Sequence, residues 1–235
     1  MTKDHISSAF DTDLAVIQAQ IMKMGGLVED AIRLGMQSLE TRDEELAQQV
    51  RAADAAIDEL EETINEAAAR IIALRAPTAI DLRLILCVIK ISGNLERIGD
   101  YAKNMAKRTE VLSQVSPIGD SIGTLRRMTR AVQVMLKDAL DAYIQHDPAL
   151  AADVIARDVD VDQMYNALFR ELLTFMMEDP RNITACLHLH FIAKNTERMG
   201  DHVTAIAEQV VYLATGKQPD ENRPKADSTS STTGV

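Results

Sequence analysis

The chain has 235 residues, 46% apolar, 3% aromatic and none tryptophan, with a formal charge of −11 at neutral pH. It is long enough for one large domain or two small ones with a sizeable core, and its Ala, Leu, Ile, Met, Glu, Asp, Arg and Gln content suits helices packed on helices. The charge argues against a nucleic-acid binder, which needs clustered Lys and Arg, so the expected partner is a cation or a basic protein surface.

Six helices are predicted, at about 12–40, 43–75, 79–113, 118–145, 148–177 and 181–215, with residues 1–10 and the polar tail 217–235 expected to be disordered. Thr41 with Glu44 and Thr78 with Asp81 fit capping boxes; the Ser-Pro at 116–117 and the Asp-Pro pairs at 147–148 and 179–180 place a cap before a proline at the first helical position. Gly216 fits the residue that closes the last helix. Apolar residues step by three and four: Leu14, Ile17, Ile21, Met24, Val28, Ala31, Gly35 and Leu39 in the first helix, Leu46, Val50, Ala53, Ile57, Leu60, Ile64 and Ile71 in the second, and Leu84, Val88, Ile91, Leu95, Ile98, Ala102 and Met105 in the third. Short turns between long helices favour antiparallel packing. The apolar runs are cut by Arg83, Lys90 and Lys194 well short of the ~20 residues of a membrane span, and no secretory pattern opens the chain, so a cytoplasmic protein is expected. Cys87 and Cys186 lie within apolar helical pattern, where two buried thiols in a reducing compartment are a plainer reading than a disulfide or a ligand role.

The second half repeats the first. "DAAIDELEETI" at 54–64 aligns with "DVDVDQMYNAL" at 158–168, and "NLERIGDYAKNMA" from 94 with "NTERMGDHVTAIA" from 195. A repeat this long is not a solenoid unit. It predicts an all-α chain of two tandem homologous three-helix bundles, residues 11–114 and 115–216, fused where "SQVSP" at 113–117 breaks the pattern.

Each repeat carries carboxylates four residues apart: Asp54 and Asp58 with Glu96 and Asp100, then Asp158 and Asp162 with Glu197 and Asp201. A heptad count puts Glu96, Asp100, Glu197 and Asp201 on an outer face and Asp54 beside the seam. Like charges one turn apart repel unless a cation lies between them. Two neighbouring helices each presenting such a pair would form a hard oxygen patch suited to Fe, Mn, Mg or Ca, with Zn also compatible. Acid pairs also arise by chance on a solvated helix face; their recurrence at matched places is what favours a site.

Histidines are absent from the Glu-x-x-His spacing of a buried di-iron centre. His202 follows Asp201 but stands where the first repeat has Tyr101; His188 and His190 are expected to pack near a helix start. Arg97 and Arg198 most simply neutralise neighbouring acids, Asn94 and Asn195 either support the ligands or are surface polar residues, and Gly99 and Gly200 let helices approach or leave the carboxylates unshielded.

"APTAIDLRLIL" at 76–86, "GNLERIGDYAKN" at 93–104, "NALFRELLTFMMEDPRNI" at 166–183 and "AKNTERMGDHVTAIAE" at 193–208 together resemble the PhoU family of phosphate-transport regulators, over about residues 10–215. The resemblance implies a cytoplasmic, often dimeric protein of two three-helix bundles. It implies metal clusters held by Asp54, Asp58, Glu96, Asp100, Asp158, Asp162, Glu197 and Asp201, and no catalysis. It also implies a negative regulator that couples the phosphate ABC transporter, through its ATPase subunit, to the sensor histidine kinase of the phosphate-starvation response, reaching the membrane only through these partners. The "DLR" at 81–83 has no counterpart in "ITACLHLH" at 183–190, so any function tied to it belongs to the first repeat. The competing readings are a metal-dependent hydrolase or redox enzyme, and a scaffold whose acidic surface docks a basic partner.

Overall fold

The computed structural model describes residues 2–77 and 79–217. Its helices are α1 (Thr2–Thr41), α2 (Glu44–Arg75), α3 (Ala79–Lys107), the single turn α4 (Thr109–Leu112), α5 (Ser121–Gln145), α6 (Pro148–Glu178) and, after a 3₁₀ turn at Pro180–Asn182, α7 (Ile183–Thr215).

Local chemistry accounts for most of these ends. Asp147 caps α6 through Ala149 N–H at 2.9 Å and Leu150 N–H at 3.1 Å, ahead of Pro148, and Asp179 caps the 3₁₀ turn through Arg181 N–H. Gly216 closes α7 at φ +73°, its N–H bonded to the Tyr212 carbonyl.

Four expectations about ends differ. The first helix starts at Thr2 rather than near residue 12. The cap of α2 is Asp43, which accepts from Leu46 N–H at 2.9 Å, while Thr41 donates back to the Gln37 carbonyl as the last residue of α1. Arg42, at φ +57°, reverses the chain between them and breaks the Thr41–Glu44 box. Pro117 does not open a helix; a turn with Gly119 at φ +48° delays α5 to Ser121, and the third helix ends at Lys107, leaving α4 as a separate turn. Thr78, and residues 218–235 of the tail, lie outside the described residues.

Helices α1, α2 and α3 pack on one another, as do α5, α6 and α7. The two bundles are then joined broadside, with α3 along α7 and α1 along α5. The α3/α7 pair is antiparallel: Arg83 stacks on Tyr212, Asn94 reaches His202, and Arg108 meets His188. One apolar cluster runs through both bundles, from Ile17 and Ile57 through Ile91 and Leu95 to Met128, Val203 and Leu213. Each of α3 and α7 therefore has three long neighbours.

Candidate functional site

The seam of α2 runs through Val50, Asp54, Ile57, Glu61, Ile64, Ala68 and Ile71, alternating steps of four and three. Asp54 thus holds a core position and is 4% exposed, whereas Ala53, counted in the apolar stripe, faces out. The seam of α6 repeats this with Val154, Asp158, Val161, Tyr165 and Leu168, and Asp158 is 5% exposed. Asp162 and Glu197 are each 5% exposed as well. The outer-face assignment is therefore wrong for Glu197, and incomplete for Glu96, Asp100 and Asp201, which are half-buried; Asp58 is exposed. The heptad count considers one helix at a time, so it does not register which of its outer positions a neighbouring helix covers.

The two glycines face these seams. A Cβ at Gly200 would lie 2.9 Å from Asp158 Oδ1, and one at Gly99 would lie 3.0 Å from Ile57 Cδ1 and 3.6 Å from Asp54 Oδ1. Gly200 leaves the space that the Asp158 carboxylate occupies, and Gly99 leaves room chiefly for Ile57, with Asp54 at ordinary contact distance.

In the first repeat the acids come together. The Lys103 ammonium donates to Asp54 and lies 3.5 Å from Asp100, and Arg97 spans Glu96 at 3.4 Å and Asp100 at 3.7 Å. Burial, and then Asp54, push the Asp58 carboxyl above its ordinary range, with Asp100 and Glu61 adding to the effect against Lys103. Burial also raises the Glu96 carboxyl; Arg97 opposes this, and Asp100, Asp58 and Glu61 reinforce it. Two internal cations thus leave the cluster with unbalanced negative charge. The Asp54 hydrogen bond, in turn, raises the Lys103 ammonium.

The second repeat has a different internal cation. Position 204, matching Lys103, is a buried threonine, and Lys194, where the first repeat has Gly93, approaches Glu197 at 2.9 Å. An ammonium thus meets each cluster, Lys103 and Lys194 entering from opposite sides of the motif. Lys103, Lys194 and Glu61 were missed in the sequence; the signals were the i,i+3 spacings Asp100–Lys103 and Lys194–Glu197 and the placement of Glu61 in the seam. Among the described residues no three His, Cys, Asp or Glu side chains are already arranged as a metal-ligand set. An ion would be received by shifting an ammonium, and the donors that remain are the carboxylate oxygens hard cations favour.

The other candidates are placed between helices. Asn94 donates to the Lys90 carbonyl at 2.7 Å and pairs its Oδ1 with His202 Nδ1 at 2.8 Å, so it ties α3 to α7 instead of orienting a carboxylate. His202 also stacks on Tyr101, their ring centres 5.7 Å apart. Tyr101, across the same interface, raises the Arg198 guanidinium, with Glu197 and Asp201 a weaker influence. His190 packs among Tyr165, Phe169 and Phe191, and burial holds its imidazole below the ordinary range. Arg83 of the "DLR" segment lies over Tyr212 and against Gly216, a cation at the C-terminal end of α7, where the helix dipole favours one. Cys87 and Cys186 are buried free thiols.

The PhoU domain family matches residues 21–109 and again 125–210, one match over most of each bundle. The chain is 45% identical over 224 residues to the phosphate-specific transport system accessory protein PhoU homolog of Caulobacter vibrioides, covering 95% of this chain and 97% of the relative. It is 48% identical to the homolog of that name from Zymomonas mobilis, covering 94% and 93%. The fold superposes on the crystal structure of PhoU from Pseudomonas aeruginosa with a TM-score of 0.86 at 40% identity, covering 88% of this chain and all, 100%, of that one. It superposes on the phosphate transport system regulatory protein PhoU from Streptococcus pneumoniae with a TM-score of 0.83 at 29% identity, covering 90% and 99%. A duplicated three-helix bundle with an inward-turned aspartate facing a glycine in each copy, matched along nearly its whole length by these proteins, belongs to the PhoU family.

Proposed function

We propose that the chain is a non-catalytic regulator of phosphate transport, a cytoplasmic homodimer that couples the phosphate ABC transporter to a sensor histidine kinase and restrains the starvation response when phosphate is plentiful. The observation that carries the reading is the near-full-length similarity to relatives named as accessory proteins of the phosphate-specific transport system. No helix among the described residues is long and apolar enough to cross a membrane. The test is genetic. Cells lacking the protein are expected to express phosphate-starvation genes in rich phosphate, and deleting the kinase as well is expected to silence them. Normal repression in a single deletion with no second copy of the gene sinks the regulatory reading.

Within this function each repeat binds its own metal ions, Fe, Mn or Zn, through Asp54, Asp58, Glu96 and Asp100 in one cluster and Asp158, Asp162, Glu197 and Asp201 in the other. The raised carboxyls of Asp58 and Glu96 support it: burial is the first cause for each, and neighbouring acids, Asp54 at Asp58 and Asp100 at Glu96, add an excess of negative charge that a cation relieves. Replacing Glu96 and Asp100 by Ala is expected to remove about half of the bound metal, since its ligands would come from one repeat of two, and to leave helicity intact. Unchanged metal content would show that the ligands lie elsewhere.

The burial of Asp54, Asp158, Asp162 and Glu197 favours a second reading, a metal-dependent hydrolase or redox enzyme, because shielded carboxylates suit catalysis better than solvated ones. Turnover of phosphate esters by metal-loaded protein, lost in the Glu96→Ala, Asp100→Ala variant, would bring it forward.

A further inference from the structure

Between α1 and α5 lies an open groove of about 610 Å³, lined by Arg33, Arg126, Arg127 and Arg130 with Gln37 and Gln133. Its floor is Met36 and Thr129, both buried, so the arginine heads stand over a partly apolar base. Glu40 is the only acid in the lining; it meets Arg126 at 3.4 Å. Arg33 pairs with the exposed Asp30 and Arg127 with the exposed Asp120, while Arg130 has no ion-pair or hydrogen-bond partner among the described residues. Three of the four guanidinium groups each meet one carboxylate, Glu40, Asp30 or Asp120, and Arg130 meets none, which leaves the groove with an unbalanced positive charge in a chain of charge −11.

The duplication shows that the fold does not require these arginines. At an offset of 104, the buried Leu125, Met128, Val132, Leu136 and Leu140 of α5 match the buried Ile21, Met24, Val28, Ile32 and Met36 of α1. The outward positions do not follow: Arg126, Arg127 and Arg130 stand where the first repeat has Met22, Lys23 and Gly26. The two copies share the core pattern and differ on this outward face.

We propose that this groove binds a small anion carrying linked phosphoryl groups, either a nucleoside triphosphate or an inorganic polyphosphate. Planar guanidinium forks match phosphoryl oxygens two at a time. Arg126 and Arg130 lie one turn apart, about 6 Å, with Arg33 facing them from α1, a spread suited to a chain of phosphates rather than to one. The volume falls in the range of small-ligand sites and well exceeds a single phosphate. The site is independent of the carboxylate clusters, so its test uses metal-free protein.

Calorimetry of the full chain in EDTA, with ATP, tripolyphosphate, orthophosphate and citrate as separate titrants, decides it. ATP or tripolyphosphate is expected to bind one per chain with a dissociation constant of about 100 μM or tighter, weakening as salt rises. Orthophosphate and citrate are expected to bind at least about tenfold more weakly. The double variant Arg126→Gln, Arg130→Gln, both side chains being exposed, is expected to keep its circular dichroism and melting temperature and to lose at least about tenfold in affinity. ATP binding several-fold tighter than tripolyphosphate identifies a nucleotide site, and equal affinities an inorganic one. Affinity unchanged in the double variant, citrate binding as tightly as tripolyphosphate, or binding of an Asp/Glu-rich peptide with neither polyphosphate bound, overturns the proposal.

Discussion

Gly200 and Gly26 are both helical glycines, and the space around them gives opposite expectations for the same substitution. A methyl group at Gly200 runs into Asp158 Oδ1 at 2.9 Å, against a carboxylate held in a core seam. Gly200→Ala is therefore expected to destabilise the chain by about 1–3 kcal/mol. Nothing lies within 4 Å of a Cβ at Gly26, so Gly26→Ala is expected to stabilise by about 0.5–1 kcal/mol through helix propensity alone. Urea melts of the two variants check this, and a stable Gly200→Ala would show that Asp158 is free to move. The acids predict a pH dependence. Folding raises the Asp58 and Glu96 carboxyls above 3.8 and 4.5, so ionisation costs stability in the folded state, and stability is regained as the pH falls through the raised values toward those of the unfolded chain. In metal-free buffer the Asp58→Asn, Glu96→Gln variant is thus expected to melt above the parent at pH 7, with the gap closing as the pH drops to about 4. A gap that widens on acidification reverses the sign and refutes the account.

Helix ends supply the next scale. Asp147 satisfies two N–H groups at the start of α6, and Asp147→Ala is expected to cost about 1 kcal/mol, a fall of roughly 2–4 °C in melting temperature for a chain this long. At the end of α2 the chain turns through Ala76 at φ +44°, where a Cβ is strained, with its N–H on the Ile72 carbonyl at 3.2 Å. Gly216 fills the corresponding place on α7. Ala76→Gly is expected to stabilise by about 0.5–1 kcal/mol, the relief of strain outweighing the added freedom of the unfolded chain. A destabilised variant in the same denaturant melt would show that the turn is not strained.

At the scale of the molecule, the single core crossing α3 and α7 means that neither bundle is sealed without the other. Unfolding is expected to be one cooperative transition, with far-UV and near-UV signals coincident. A fragment of residues 1–114 would expose the α7-facing side of α3 and the α5-facing side of α1. It is expected to associate or bind ANS rather than melt as a monomer. Two separable transitions in the full chain, or a monomeric and cooperative fragment, would show that the bundles are autonomous.

Periodicity and duplication in the sequence determined that the chain is helical, that it is built twice on one three-helix plan, and which eight carboxylates recur, because apolar spacing and repeated motifs are local properties of the chain. The caps at Asp147, Asp179 and Gly216 were legible for the same reason: each acts within a few residues of itself. Tertiary structure alone decided how deep those carboxylates lie. A heptad count sees one helix's own seam, but Glu197, at an outer position of that count, is buried once the helices have packed. It also decided that Lys103 on α3 would neutralise Asp54 on α2, and that arginines spread over α1 and α5 would share one groove, since charges on separate helices meet only after the helices have packed.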